Sequence, residues 1–385
     1  MAFIPYSRQQ IEQADIDAVV DVLKSDFLTQ GPAIERFERA FAERHQVAHA
    51  VALCNATAAL HIACLALGVG PGSRVWTSPN SFVASANCAL YCGAEVDFVD
   101  IDADSRNMSV ERLAEKLEQA QKNGTLPDVV IPVDFSGMPC DLAEIRVLAD
   151  RYGFKVLQDS SHATGADFQG KPVGGQYADA SVFSFHAVKI VTSAEGGMVT
   201  TQDAELAKKI AVLRSHGVTR DADLLEREPE GGWYYEQVDL GYNYRITDVQ
   251  AALGASQLDR VDTMQAERAA RAERYDRILA DLPLKLPKRF DDRTSAWHLY
   301  VVELTDEAKC DRARLFAAMR EAGIGVNVHY IPIHTQPHYE RLGFKRGDFP
   351  TSVAYYERAI TIPLFPAMTD AEQDRVAEIL SRELC

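Results

Sequence analysis

Between residues 51 and 201 the chain alternates short apolar runs with helical segments in which apolar positions recur every three to four residues. The runs are Val51–Cys54, Arg74–Thr77, Val96–Val99, Val129–Val133, Val156–Gln158, Val182–Phe185 and Met198–Thr200. Runs of that length without polar alternation read as strands covered on both faces. Helical stretches between most of them predict an α/β fold, a mainly parallel seven-stranded sheet sandwiched by helices. Upstream, residues 8–25 predict an amphipathic helix with Ile11, Ile16, Val19, Val20 and Leu23 on one side, broken at Phe27-Leu28-Thr29-Gln30-Gly31-Pro32. Downstream, the pattern predicts a helix over 203–216, a polar surface loop over Asp221–Gly232, and one long helix from Thr247 to Ala280 with Arg/Glu pairs on its exposed face. A strand (Leu299–Leu304), a helix (Arg312–Ala322), a strand (Gly325–Tyr330) and a closing helix (Thr369–Leu384) complete the pattern. The expected division is a large α/β domain over residues 1–250, then a bridging helix and a small α+β domain over 251–385.

Composition narrows the function classes. Of 385 residues, 47% are apolar and 25% charged, ordinary for a soluble globular chain. A net charge of −16 argues against nucleic acid or an anionic membrane as partner, while saying little about one pocket. The seven cysteines form an odd set without disulfide-scaffold spacing. With no signal-peptide pattern and no long apolar span, the expectation is a reduced, cytoplasmic protein. Cys88 and Cys92, four apart in the helical stretch Ser81–Tyr91, read as small core residues on one face. His334 and His338 have i, i+4 spacing, but Pro337 between them disfavours the helix that would aim both at one ion, so no metal is expected. Gly68-Val69-Gly70-Pro71-Gly72 follows a helix and precedes a strand, the reverse of a dinucleotide-binding turn.

Three segments carry candidate chemistry. In Ser181-Val182-Phe183-Ser184-Phe185-His186-Ala187-Val188-Lys189, closing on Glu195-Gly196-Gly197, a lysine sits just beyond a buried strand. Burial lowers an amine's pKa, and a neutral amine is what Schiff-base chemistry with a carbonyl requires; the competing reading is an ordinary surface lysine. Thirty residues upstream, the strand Lys155-Val156-Leu157-Gln158 ends in Asp159. Neighbouring parallel strands deliver Asp159 and Lys189 to one carboxyl edge, where open α/β sheets bind ligands. An aspartate on a pyridinium nitrogen and a lysine on an aldehyde form the protein half of pyridoxal phosphate (PLP) chemistry; alternatively, Asp159 caps a helix. Third, Asn55-Ala56-Thr57-Ala58-Ala59-Leu60 follows the run Val51–Cys54. Small residues at a strand-to-helix turn let backbone N–H groups reach a phosphate, although a plain Asn cap looks the same.

Together these segments, with Gln158-Asp159-Ser160-Ser161-His162-Ala163-Thr164-Gly165, Gly241-Tyr242-Asn243-Tyr244-Arg245-Ile246-Thr247-Asp248 and His329-Tyr330-Ile331-Pro332-Ile333-His334, resemble the DegT-type nucleotide-sugar aminotransferases over nearly the whole chain. These are PLP enzymes of fold type I. Asp-Ser-Ser-His, Ser-Phe-His-Ala-Val-Lys and residues 252–258 most resemble the pseudaminic acid pathway members, which aminate C4 of a UDP-linked 4-keto-6-deoxy-N-acetylhexosamine. The resemblance implies that Lys189 carries PLP and shuttles the proton from the donor, L-glutamate, and that Asp159 keeps the ring nitrogen protonated. It aligns Ala56, Thr57 and Ser184 with phosphate ligands. Phe82 aligns with the aromatic stacked on the ring, a core Phe being the alternative. His162 aligns with a residue on the other face or at the ring oxygen. Asn243 aligns with a phosphate ligand from a neighbouring subunit, implying a homodimer with shared sites. For the sugar nucleotide it points to Tyr6, Asp26, Phe27, Leu28, Thr29, His329, Tyr330, Ile331 and Pro332. Arg245 would grip a diphosphate or carboxylate, or else pair with Asp248. Glu195 either orients the lysine or caps the Gly-Gly turn.

Three rivals share the resemblance: an aminotransferase for another nucleotide sugar (GDP-perosamine-type or C3-keto), a PLP sugar dehydratase, and a non-catalytic regulator. The dehydratases replace the lysine with histidine, and Lys189 is present. Intact Asp159, Lys189 and Asn243 oppose the regulator.

Overall fold

A computed structural model describes residues 3–385. All seven apolar runs form strands of one sheet: β1 (His49–Leu53), β2 (Arg74–Thr77), β3 (Glu95–Phe98), β4 (Val129–Ile131), β5 (Lys155–Asp159), β6 (Ala180–Ser184) and β7 (Gly197–Thr201). Their order is β1-β7-β6-β5-β4-β2-β3. Only β7 runs antiparallel to its neighbours. Alternate residues enter two separate cores. Trp76, Val130, Val156, Phe183 and Met198 face one, whereas Val75, Val129, Leu157, Val182 and Val199 face the other. Because both faces of the central strands are covered, apolar residues there do not simply alternate with exposed polar ones; the edge strand β3, with Glu95 exposed and Asp97 half-buried, is the exception.

The first core is closed by α1 (Pro32–His45), α2 (Val110–Asn123), α3 (Leu142–Tyr152) and α4 (Asp248–Leu258). Three other helices, Ala56–Ala66, Ala84–Tyr91 and Ala204–Arg214, close the second. Their ends follow local chemistry. Ser109 caps α2 at its start and left-handed Gly124 ends it; Asp203 caps the helix Ala204–Arg214. Cys64, Cys88 and Cys92 all lie in this second core, and all seven cysteines are unpaired.

The remainder packs around a three-stranded antiparallel sheet, Leu284–Lys285, Tyr300–Leu304 and Ala359–Ile362, covered by helices Arg312–Glu321 and Asp370–Leu384. Three expectations are corrected here. Residues 325–330 form no strand and make only an isolated bridge, Asn327 to Thr361. The long helix is two, Asp248–Leu258 and Val261–Ile278. At the break, Arg260 leaves helical geometry while its guanidinium binds Glu12 and Asp15 at 2.6 Å each, a tertiary tie that periodicity does not register. Moreover, Arg268 on the second helix is buried, donating to the carbonyls of Trp297, His298 and Leu364. The third concerns the N-terminal helix, which spans Gln13–Leu23; its one buried residue is Asp15, while Ile11, Ile16 and Leu23 are exposed. Asp15 anchors it, accepting from Ser256, Gln257 and Arg260. The segment 221–232 is largely exposed, bracketed by the ribbon Val218–Thr219 with Glu236–Gln237.

One long-range tie joins the head of α1 to the head of α4. The buried Asp248 carboxylate accepts from Gly31 N (2.8 Å) and Ala33 N (2.9 Å), satisfying the orphan amides at the head of α1. We expect Asp248→Ala to destabilise the protein by about 1–3 kcal/mol, read as a lowered melting temperature, and Asp248→Asn to lose less.

Candidate active site

At the carboxyl edge of the sheet lies a cavity of about 720 Å³. Its walls hold most of the residues singled out from the sequence: Ala56, Thr57, Phe82, Asp159, His162, Ser184, Lys189, Glu195, Tyr6, His329, Tyr330 and Ile331. Strand register explains the convergence. Gly197 begins β7 opposite both Leu53, the end of β1, and Ser184, the end of β6. A Cβ on Gly197 would lie 2.5 Å from the Asn55 carbonyl carbon and 2.7 Å from Ala56 N. Glycine therefore lets β7 run against the turn from which the helix Ala56–Ala66 starts. Asn55 caps that helix, its Oδ1 accepting from Ala58 N at 2.8 Å. The amides of Ala56 and Thr57, ahead of the cap's bond, have no helical carbonyl to bind and line the cavity, a ready anion site.

Lys189 stands in the turn after β6, its N–H donating to the His186 carbonyl at 2.9 Å. Burial pulls its amine down to about 8, with the Asp159 charge limiting the fall. Asp159 ends β5 and is only 4% exposed. Ser85 donates to its Oδ2 at 2.7 Å and Ser161 N to its Oδ1 at 3.1 Å. No ion pair among the described residues includes Asp159, and it caps no helix.

His162 accepts from Ser136 N through Nδ1 at 3.2 Å, so the neutral ring donates from Nε2 to the Tyr330 hydroxyl at 3.2 Å. Burial and the Lys189 charge push its pKa well down, holding that neutral form. His329 is likewise lowered to about 3, by burial first, and its Nδ1 meets Thr361 Oγ1 at 2.8 Å. Phe82 is 59% exposed on the cavity wall, which rules out the core reading. Glu195 holds its carboxylate 3.9 Å from His186 Nε2, and Ser193 and Gln250 bind its backbone carbonyl.

Other expected residues lie elsewhere. Arg245 lines a separate recess with Gln30, Glu35, Glu38 and Arg214, and it makes no ion pair with Asp248. Asp26, Phe27, Leu28, Thr29 and Asn243 are exposed outside the cavity, and Pro332 is buried outside it. His334 packs against Phe98 and Phe349 while His338 is exposed, so they do not form a pair. Conversely, Ser81, Ser85, Ser161, His298, Asn327 and Gln336 also line the cavity. The i, i+4 spacing of Ser81 and Ser85 beside Phe82 was the available signal for that pair; His298 offered none.

These residues fit PLP: a low-pKa amine, a carboxylate with no cation, a helix head for a phosphate and an exposed aromatic surround one space. Because the Lys189 amine loses its proton near pH 8, we expect the rate of PLP uptake by the cofactor-free protein to rise from pH 6 to 9. A midpoint near 8 rather than 10.5, followed by cofactor absorbance, would check this.

A family model for the DegT/DnrJ/EryC1/StrS aminotransferases matches residues 9–381. The spore coat polysaccharide biosynthesis protein SpsC of Bacillus subtilis is 39% identical, the match covering 98% of this chain and 96% of that protein. Among solved structures, Helicobacter pylori PseC, an aminotransferase of pseudaminic acid biosynthesis, superposes with a TM-score of 0.91 at 30% identity over 99% of both chains. The putative sugar aminotransferase Spr1654 of Streptococcus pneumoniae, solved in a form carrying pyridoxamine phosphate, gives 0.89 at 31% over 98% of both chains; its PLP form gives 0.89 at 30% over the full length of both. With the family model spanning nearly the whole sequence, this chain belongs to the DegT/DnrJ/EryC1/StrS aminotransferase family and is a PLP-dependent sugar aminotransferase.

Proposed function

We propose that the protein moves an amino group from L-glutamate to C4 of a UDP-linked 4-keto-6-deoxy-N-acetylhexosamine, as a homodimer with shared active sites. The observation that carries the reading is the meeting of the Lys189 amine and the cation-free Asp159 carboxylate at one sheet edge, in a chain that matches PseC over 99% of its length. PLP supplies an electron sink and a carrier for the amino group. Lys189 Nζ holds the cofactor and then takes the proton from the donor's α-carbon, work suited to an amine near pKa 8. Asp159 holds a proton on the ring nitrogen. Ala56, Thr57 and Ser184 would bind the phosphate, Phe82 would pack on one face of the ring, and neutral His162, its Nε2–H held by the Tyr330 hydroxyl, would pack on the other face or lie at the ring oxygen. Tyr6, His329, Tyr330 and Ile331 enclose the sugar.

The dimer reading draws support from exposure. Asn243 and the turn Asp26–Thr29 face solvent in one chain, and Ile16, Leu23, Phe27, Leu28 and Leu240 are exposed apolar side chains. A partner subunit covering them would bring Asn243 to a phosphate and the turn Asp26–Thr29 to a sugar nucleotide. A second reading, an acceptor of a different nucleotide sugar, is favoured by the higher identity to SpsC, a protein named for spore coat polysaccharide.

Mixing the protein with excess L-glutamate should convert bound PLP to pyridoxamine phosphate; no conversion would exclude this donor. Lys189→Ala should abolish turnover, and Asp159→Asn should retain cofactor while losing at least about 100-fold in rate. Asn243→Ala should weaken PLP affinity by about tenfold, and unchanged affinity would count against the shared site. Screening UDP- and GDP-linked 4-keto sugars against the aminated enzyme separates the two acceptor readings.

A further inference from the structure

The Asp159 carboxylate is held by a chain of hydroxyls running back into the cavity wall. Ser85 Oγ lies 2.7 Å from Asp159 Oδ2, and Ser81 Oγ lies 2.7 Å from Ser85 Oγ. A hydroxyl has one proton, and Ser85 commits its own to the carboxylate. Ser81 must therefore be the donor in the second contact, so the relay has one direction: Ser81 to Ser85 to Asp159. Its members are 4%, 1% and 4% exposed, respectively, so water does not compete for these bonds.

The serines have no evident role in packing. Ser85 sits one residue into the helix Ala84–Tyr91, beside Ala84 and Ala86, where alanine would be the better helix former. Its hydroxyl turns to Asp159, 74 positions away in sequence. The second oxygen of Asp159 takes the Ser161 amide, which belongs to the same turn and survives any side-chain change. Ser85 is thus the only side-chain donor on the carboxylate among the described residues.

We propose that Ser85, backed by Ser81, is a positioning residue that fixes the rotation of the Asp159 carboxylate and, through it, the proton held on the ring nitrogen of bound PLP. The proposal rests on the reading that Asp159 faces that nitrogen. A carboxylate accepting one side-chain donor on Oδ2 and one backbone donor on Oδ1 has a fixed plane, with further lone pairs directed into the cavity for a third donor. Polarisation of Ser85 by Ser81 strengthens the inner bond.

The test uses the full-length enzyme loaded with PLP labelled with ¹⁵N in the ring, with the nitrogen resonance read by solid-state NMR beside the melting temperature and the glutamate half-reaction rate. For Ser85→Ala we expect a melting temperature near that of the parent. The ring-nitrogen resonance should move toward the unprotonated position, and the half-reaction should slow by roughly 10- to 100-fold, the range spanned by one hydrogen bond to a charged group. Ser85→Thr keeps the hydroxyl and should restore both readouts. Ser81→Ala, which leaves the inner bond in place, should shift both in the same direction by a smaller amount. Asp159→Asn is the control. If it moves the resonance and Ser85→Ala does not, the relay is refuted while the role of Asp159 stands. If neither moves it, the reading of Asp159 fails and takes the relay with it. If Ser85→Thr behaves like Ser85→Ala, the hydroxyl is not the cause and the proposal falls. Should Ser85→Ala fail to fold, an unchanged resonance in Ser81→Ala overturns the proposal and a shifted one supports it.

Discussion

A buried carboxylate without a cation beside it is the constraint around which this protein is arranged. Placing Asp159 at a nearly closed sheet edge is costly unless donors and an opposite charge answer it. The chain supplies two neutral donors, Ser85 and the Ser161 amide, and leaves the balancing positive charge to whatever occupies the cavity. Lys189 interacts with Asp159 through space without forming an ion pair. Its amine thus escapes being clamped as an ammonium, and burial brings it to about 8. A tight Lys–Asp pair would have removed both groups from chemistry.

The strand end that carries Asp159 is itself held from behind. Gln158 and Ser160, on either side of it, both donate to the buried Asp134 carboxylate, at 2.7 and 2.8 Å, and Cys140 N donates to its other oxygen at 2.9 Å. Burial nevertheless pushes Asp134 up to about 6. Two buried carboxylates, Asp159 at the end of β5 and Asp134 in the turn after β4, therefore differ in task. Asp134 is surrounded by donors and holds the backbone; Asp159 has unfilled lone pairs and faces the open space. Parallel pairing of β4, β5 and β6 sets them side by side, and the single antiparallel strand brings Gly197 to the same edge without adding a side chain there.

Much of this was legible in the sequence, for physical reasons. Strands covered on both faces are mostly apolar over short runs, so all seven could be counted before any pairing was known. Lys189, Asp159 and the Asn55–Leu60 turn each sit at the end of such a run, and a mainly parallel sheet carries those ends to one edge. Helix breaks and faces were less legible. The Thr247–Ala280 pattern is helical throughout, yet the helix breaks at Arg260, where the guanidinium binds Glu12 and Asp15. The periodicity marked Ile16 and Leu23 as one side of a helix but not what covers it; within one chain the helix is anchored by Asp15 and they stay exposed.

Local order and chemical type belong to the chain itself: where strands and caps fall, which strand ends bear an amine or a carboxylate, and which turn is small enough for a phosphate. These follow from short-range sterics and from the period of burial, which a linear sequence carries. What tertiary structure alone decided is partnership. That Asp248 caps a helix 215 positions away, that Ser85 binds Asp159, that His162 donates to Tyr330, and that Arg245 stands outside the cavity with the cation-free carboxylate inside it all depend on contacts between distant segments. A hydrogen bond or a burial penalty acts over a few ångströms of space, and separation along the chain leaves no periodic trace of it.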